Sequence, residues 1–336
     1  MTTATSPLEP LTLAEVLQDL ESGRTLPLRP RDRVTHLTSL RRPTLGGRAF
    51  LRTYLSARTL GRIHPRLARR SLLRLWVTPW VHPSALNPVE DLPTDFSAWS
   101  LETAGPTLNG YAGGSGAVAV LVHGWTGRAA DWRHLAADLI SAGWRVVVPD
   151  LPGHGMTPGR RTDLFALGQA VSAVLEHERP AAVVTHSMGF PATMLALENG
   201  TAGPATLVAL APGRRIAHAV DGFARRVALP AGLVEELRRA LEQRFGADIW
   251  HVLDVDRVLP HLQAEGVVIH DVDDDEVPLV DAQQIAARWS GAELVTTEGL
   301  GHRRILRDAR VRARILHALP DPQATIQGGL RLRGTP

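Results

Sequence analysis

From residue 117 to residue 319 the chain repeats one unit, a short apolar run of strand length followed by a segment of helix length. The runs fall at 117–122, 144–148, 181–186, 205–210, 266–270 and 293–297, and the helical segments at 129–142, 163–177, 191–198, 281–289 and 303–319. Such alternation implies right-handed crossovers and a parallel sheet. In a sheet of this kind the chemistry sits beyond the carboxyl ends of the strands. Two further short strands, at 96–103 and 107–111, precede a glycine-rich loop at 113–116. The expected fold class is α/β, a mostly parallel, doubly wound sheet.

Two regions interrupt or precede this pattern. Residues 213–260 are helical and Arg-rich, yet 8 Arg stand against 7 acids, so the net charge is only +1. That balance reads as a helical cap rather than a trap for anions. Ahead of residue 96 lies a basic, mostly helical N-terminal arm. Between Arg24 and Arg74 there are 14 Arg and one acid, Asp32, a net of +13; with +3 for the whole chain, the remainder carries 3 − 13 = −10. Within the arm, Leu51, Tyr54, Leu55, Ile63, Leu67, Leu72, Leu73 and Trp76 recur at near-helical spacing. They predict two amphipathic helices divided at Pro65.

A basic arm of this kind could meet nucleic acid or an anionic membrane surface, or pack on its own acidic body. Trp76, Trp80 and the prolines at 79, 83 and 88 favour docking onto a domain. Nucleic acid is not expected as a partner, and peripheral membrane contact through the arm stays open. Residues 1–23 predict a short helix with an acidic face, 27–43 an irregular stretch and 320–336 a disordered tail. The expected division is thus an arm at 1–95, a core at 96–212 and 261–319, a cap at 213–260 and a tail at 320–336. No apolar run approaches the roughly 18–20 residues a membrane span needs, and no secretory signal is recognisable, so a cytoplasmic location is expected. The chain has no Cys and no Lys, which excludes disulfides, thiolate chemistry and a Lys nucleophile or phosphate-loop Lys.

Four segments fall at predicted strand ends. The first, Thr185-His186-Ser187-Met188-Gly189, breaks a buried run with a small-residue corner before a helix. A Ser at such an apex is held out of the sheet above a helix N-terminus, whose N–H groups and dipole favour developing negative charge. The G-x-S-x-G pattern is met except that Thr185 replaces the first Gly. The second, His123-Gly124-Trp125-Thr126-Gly127, lets a backbone N–H point into the site, so Trp125 and Met188 are the expected backbone donors of an oxyanion hole. Candidate substrate-pocket residues are His123, Gly124 and His186. The third holds five acids after a strand, Asp271 and Asp273-Asp274-Asp275-Glu276. A calcium loop would need Gly at Glu276 and Glu at Ala282, so no metal is expected. A carboxylate that orients a His accounts for it better, and the spacing to Val277-Pro278 selects Asp274, with Asp273 and Asp275 as fallbacks. The fourth, Gly299-Leu300-Gly301-His302, places His302 in a glycine-bounded loop after the last strand, free to reach a nucleophile. Another His, His154 in Pro149-Asp150-Leu151-Pro152-Gly153-His154-Gly155, reads as a structural hydrogen-bonding residue.

With Ser187, Asp274 and His302 in that chain order, the sequence resembles the α/β-hydrolase superfamily over about residues 96–319. The resemblance rests on HGWTG at 123–127, PDLPGHG at 149–155, THSMG at 185–189, HDVDDDEVP at 270–278 and GLGH at 299–302. It is similar, more narrowly, to bacterial serine hydrolases with HGW and GLGHRRIL at these places. The resemblance implies an esterase-like reaction without a cofactor, a cap inserted after the sixth strand and a substrate pocket beneath it. Its small-molecule substrate would be an ester or thioester. Acyl transfer or carbon–carbon bond hydrolysis on the same triad, or a non-catalytic ligand-binding protein, are the alternatives. Thr185 and Asp271, where the family pattern often has Gly, are departures.

Overall fold

The computed structural model describes residues 45–80 and 95–323. The acidic helix expected at 1–23, the irregular stretch at 27–43, Pro83 and Pro88, and the tail from 324 on lie outside them. The arm contributes α1 (Leu45–Ile63) and α2 (Pro65–Trp76). Pro65 occupies the first turn of α2, where a missing N–H costs nothing, and the His64 ring accepts the Arg66 N–H as an N-cap.

The sheet follows as β1 (Phe96–Leu101), β2 (Leu108–Gly113), β3 (Val118–Val122), then α3 (Arg133–Ser141), β4 (Arg145–Asp150), α4 (Leu164–Glu178), β5 (Ala182–His186), α5 (Gly189–Glu198) and β6 (Thr206–Leu210). Cap helices α6 (Ile216–Arg226) and α7 (Ala231–Phe245) lead to β7 (Glu265–Asp271), α8 (Leu279–Arg288), β8 (Ala292–Thr297) and α9 (Ala309–Ala318). The eight strands run in the order β1-β2-β4-β3-β5-β6-β7-β8; β1–β2 and β2–β4 are antiparallel and every other pair is parallel. The single helix expected at 303–319 is two pieces, a turn at Gly301–Arg304 and α9. Asp308 divides them because its carboxylate captures the N–H groups of Arg310 (3.0 Å) and Val311 (3.3 Å).

Side chains of successive strand residues go to opposite faces, and both faces are buried. On β3, Val120 and Val122 join the core under α4, α5 and the cap, while Ala119 and Leu121 join the core under α3 and α9. The same split separates Val183 from Val184 on β5 and Val268 from Val267 on β7. The arm belongs to the first of these cores. Ala68, Leu72 and Leu75 of α2 are buried in one cluster with Leu233 and Leu237 of α7. Arg69 pairs with Glu236 at 2.5 Å, the Tyr54 hydroxyl donates to the Ala228 carbonyl at 3.3 Å, and Trp76 meets Phe223 edge-on at 5.6 Å. Among the described residues no helix is long and apolar enough to cross a membrane.

Candidate active site

Ser187 lies in the turn between β5 and α5 with φ at +51°, in the left-handed region that a non-glycine residue rarely occupies. Close packing holds it there. A Cβ on Gly189 would come within 2.6 Å of the Val122 carbonyl oxygen, and one on Gly124 within 2.8 Å of the Ser187 Cβ. Both glycines therefore let the β3 and β5 ends approach more closely than any side chain allows. Thr185 fits where the expected pattern has Gly, because it lies within β5 opposite Ala209 and its hydroxyl donates to the Val208 carbonyl at 3.1 Å.

The His302 Nε2 stands 2.9 Å from the Ser187 Oγ, and its Nδ1 stands 2.7 Å from Asp274 Oδ2. An Nδ1–H donated to the carboxylate leaves Nε2 unprotonated and able to accept the Ser hydroxyl proton. The other oxygen of Asp274 accepts the N–H groups of Glu276 (2.8 Å) and Val277 (2.9 Å). Burial alone raises the Asp274 carboxyl, but the hydrogen bond from His302, its charge and these two N–H groups outweigh it, so the pKa falls below the ordinary carboxylate value. His270 steadies the same loop by donating its Nε2–H to the Val277 carbonyl at 3.1 Å. Neither fallback acid reaches the imidazole: Asp273 accepts the Gly299 N–H at 2.9 Å, and Asp275 is exposed.

Asp271, unassigned by sequence reasoning, ties the two loops together. Its Oδ1 accepts the Asp273 N–H (3.1 Å), while Oδ2 accepts the Thr297 hydroxyl (2.7 Å) and the Leu300 N–H (3.0 Å). A Gly in its place would leave all three donors without that acceptor. The backbone N–H groups of Trp125 and Met188 make no hydrogen bond among the described residues. Thr126, next to Trp125, is held at φ +60° by its own N–H bond to His154 Nε2 (3.1 Å) and by Arg303, which donates to its hydroxyl at 3.1 Å.

Ser187 and Met188 open onto a pocket of about 150 Å³ walled by Trp125, by Leu75, Trp76 and Trp80 of the arm, and by Ile216 and Phe223 of α6. His123, Gly124 and His186, expected to line this pocket, do not. The two imidazoles serve the scaffold instead. His123, 2% exposed, accepts the Leu151 N–H on Nε2 (2.9 Å) and donates to the Gly124 carbonyl from Nδ1 (2.8 Å); His186 donates to the His302 carbonyl at 2.9 Å. Burial lowers the His123 pKa to about 4, and burial with the neighbouring His123 lowers that of His154 to about 3, so both stay neutral. His154 donates to the Pro152 carbonyl at 3.1 Å, in the structural place expected of it.

Two features of the pocket carried no sequence signal. His218 and Asp281, both lining it, form a second pair at 2.7 Å although 63 residues separate them in the chain. Glu276 joins the cap to the His loop through Arg226 (2.9 Å) and Arg303 (3.2 Å). Among the described residues no group of three or more His, Asp and Glu side chains is arranged to hold a metal ion.

No curated relative matches the sequence. Solved structures do match in fold. An esterase from Pyrococcus furiosus superposes with a TM-score of 0.53 at 18% identity, covering 69% of this chain and 96% of its own. An esterase from Rhodococcus sp. ECU1013 gives 0.51 at 18% identity over 67% and 98%, and one from Exiguobacterium antarcticum gives 0.51 at 16% over 66% and 98%. At such identities the likeness is one of fold. Residues 119–314, more than half of the chain, match the alpha/beta hydrolase family itself, and to that family the protein belongs.

Proposed function

We propose that the protein is a serine hydrolase that cleaves a carboxylic ester or thioester through an acyl-enzyme. The observation that carries this reading is the unbroken hydrogen-bonded line from Ser187 Oγ through His302 to Asp274, at 2.9 and 2.7 Å, with the Ser on a strained turn. His302 Nε2 takes the hydroxyl proton as Oγ attacks the carbonyl carbon, and Asp274 holds the imidazole in the required tautomer. The Trp125 and Met188 N–H groups receive the oxyanion, each such donor typically worth about 2.7–4 kcal/mol of barrier. Collapse expels the alcohol or thiol, which leaves with the proton from His302. Water then attacks the acyl-enzyme with His302 again as base, and the acid departs as Ser187 recovers its proton.

Pocket size sharpens the substrate class. At about 150 Å³, below the usual range of about 300–1,000 Å³ for ligand pockets, an apolar wall of Trp, Phe, Leu and Ile suits a short or single-ring acyl group. Labelling the purified protein with a fluorophosphonate probe and locating the adduct by peptide mass spectrometry tests the chemistry. Stoichiometric labelling at Ser187, lost in His302→Ala, is expected; a folded sample that takes no label would overturn it. A series of p-nitrophenyl esters should then show kcat/KM falling beyond short acyl chains.

A further inference from the structure

On the far side of the arm segment that walls the Ser187 pocket lies a larger cleft of about 870 Å³. It is lined by five arginines from four segments: Arg52 of α1, Arg70 and Arg74 of α2, Arg161 from the loop before α4, and Arg244 near the end of α7. None of the five makes an ion pair or a side-chain hydrogen bond among the described residues; Arg244 rests only on the Phe245 ring, at 5.1 Å. Other arginines of the fold do find carboxylates. Arg69, Arg226, Arg238, Arg239 and Arg257 all pair with carboxylates at 2.5–2.9 Å.

One acid, Asp163, lines the cleft, and its Oδ1 is engaged by the Ala166 N–H at 3.0 Å as the N-cap of α4. A second observation comes from Thr162 in the same wall. It is 5% exposed and its hydroxyl has no hydrogen-bond partner among the described residues. Five guanidiniums and the Thr162 hydroxyl stand against the single carboxylate of Asp163 among the described residues, which leaves the concavity positive, the setting in which field lines concentrate and anions are drawn in. Guanidinium forks match phosphate oxygens two at a time. The cleft is also the size of a nucleotide-scale molecule, about 300–1,000 Å³ being usual for such sites.

The geometry points to this cleft as a binding site for a small soluble ligand carrying two or more phosphate groups. A lipid headgroup has the same chemistry, but a bilayer presents a broad plane, whereas these arginines surround a concavity. The inference is independent of which ester Ser187 cleaves, since it rests on none of the residues assigned to that chemistry.

The test uses the full chain and inorganic tripolyphosphate as probe, by calorimetry at about 150 mM salt, where loose surface attraction is screened. Saturable 1:1 binding and a raised Tm are expected, with affinity reduced at least about tenfold in the double variant Arg70→Gln/Arg74→Gln. The control Arg62→Gln/Arg66→Gln removes the same charge from exposed positions of the arm outside the cleft and should leave affinity within about twofold. Circular dichroism and fluorophosphonate labelling of Ser187 establish that each variant is folded. Absent or non-stoichiometric binding, or equal loss in both double variants, would overturn the proposal. So would co-sedimentation with phosphatidylglycerol vesicles that outcompetes tripolyphosphate, since the cleft would then be reading a surface.

Discussion

Two histidine–carboxylate pairs stand beside the Ser187 pocket, and they differ in everything except the 2.7 Å between their partners. His302 and Asp274 come from loops at the carboxyl ends of β8 and β7, and their side chains are 4% and 0% exposed. His218 sits on cap helix α6 with its side chain 34% exposed, against Asp281 on α8. Asp274 is held below the ordinary carboxylate pKa by His302 and two backbone N–H groups in spite of burial. For Asp281 burial wins over His218, and its pKa is raised. The first imidazole meets a hydroxyl and the second meets none among the described residues. A His–carboxylate pair is therefore not what defines the site. The strained turn that delivers a hydroxyl to one imidazole is.

Breaking that comparison begins with the hydroxyl itself. Ser187→Ala should abolish turnover of any ester substrate, a loss on the order of 10⁶ in kcat, while leaving the urea midpoint near that of the parent. Retained turnover would remove Ser187 from the chemistry.

The two carboxylates come next. Asp274→Asn should lower kcat by about 10⁴, since an amide facing Nδ1 favours the wrong tautomer, whereas Asp281→Asn should cost less than about tenfold. Comparable losses in the two variants would make the second pair a participant rather than a part of the wall.

A third prediction concerns the neutral histidines behind the site. His123 and His154 are buried with pKa values lowered to about 4 and about 3, so unfolding lets them bind protons that the native state refuses. Their contribution is whole above the ordinary His value and drains away as pH falls from about 6.5 toward 4. For His123 this is on the order of 3 kcal/mol. Urea midpoints followed from pH 7 to pH 4.5 should fall, and less steeply in His123→Gln; an unchanged slope would contradict the burial argument.

The smallest effect belongs to Thr185. Restoring the pattern with Thr185→Gly removes a buried hydroxyl bonded to Val208 and adds glycine to a strand, a loss of about 1–2 kcal/mol in stability with kcat changed less than about twofold. A large loss of activity would mean that the β-branched residue sets the turn.

Much of this was legible before any coordinates. The Val-rich runs announced a sheet buried on both faces, since a strand apolar at every position can only lie between two layers. The order Ser187, Asp274, His302, with glycines beside the Ser and the His, announced loops that could meet at one edge. Spacing also selected Asp274 over its two acidic neighbours. What it misjudged was His123 and His186, because a histidine beside a motif looks the same whether its nitrogens face a ligand or a backbone carbonyl. Asp271 escaped for the same reason. Its three donors come from residues 273, 297 and 300, and only the pairing of β7 with β8 brings the last two to it.

Local sequence by itself determined the elements, their order and the Ser, Asp and His side chains placed at the strand ends, because periodicity and turn chemistry act over a few neighbouring residues. Tertiary structure alone decided that the arm would wall the Ser187 pocket, that His218 would find Asp281, and that arginines from positions 52, 70, 74, 161 and 244 would line one cleft with a single carboxylate, Asp163. Those outcomes depend on how helices dock on a sheet, and docking is set by the sum of buried apolar contacts across distant segments, a quantity that no short stretch of the chain contains.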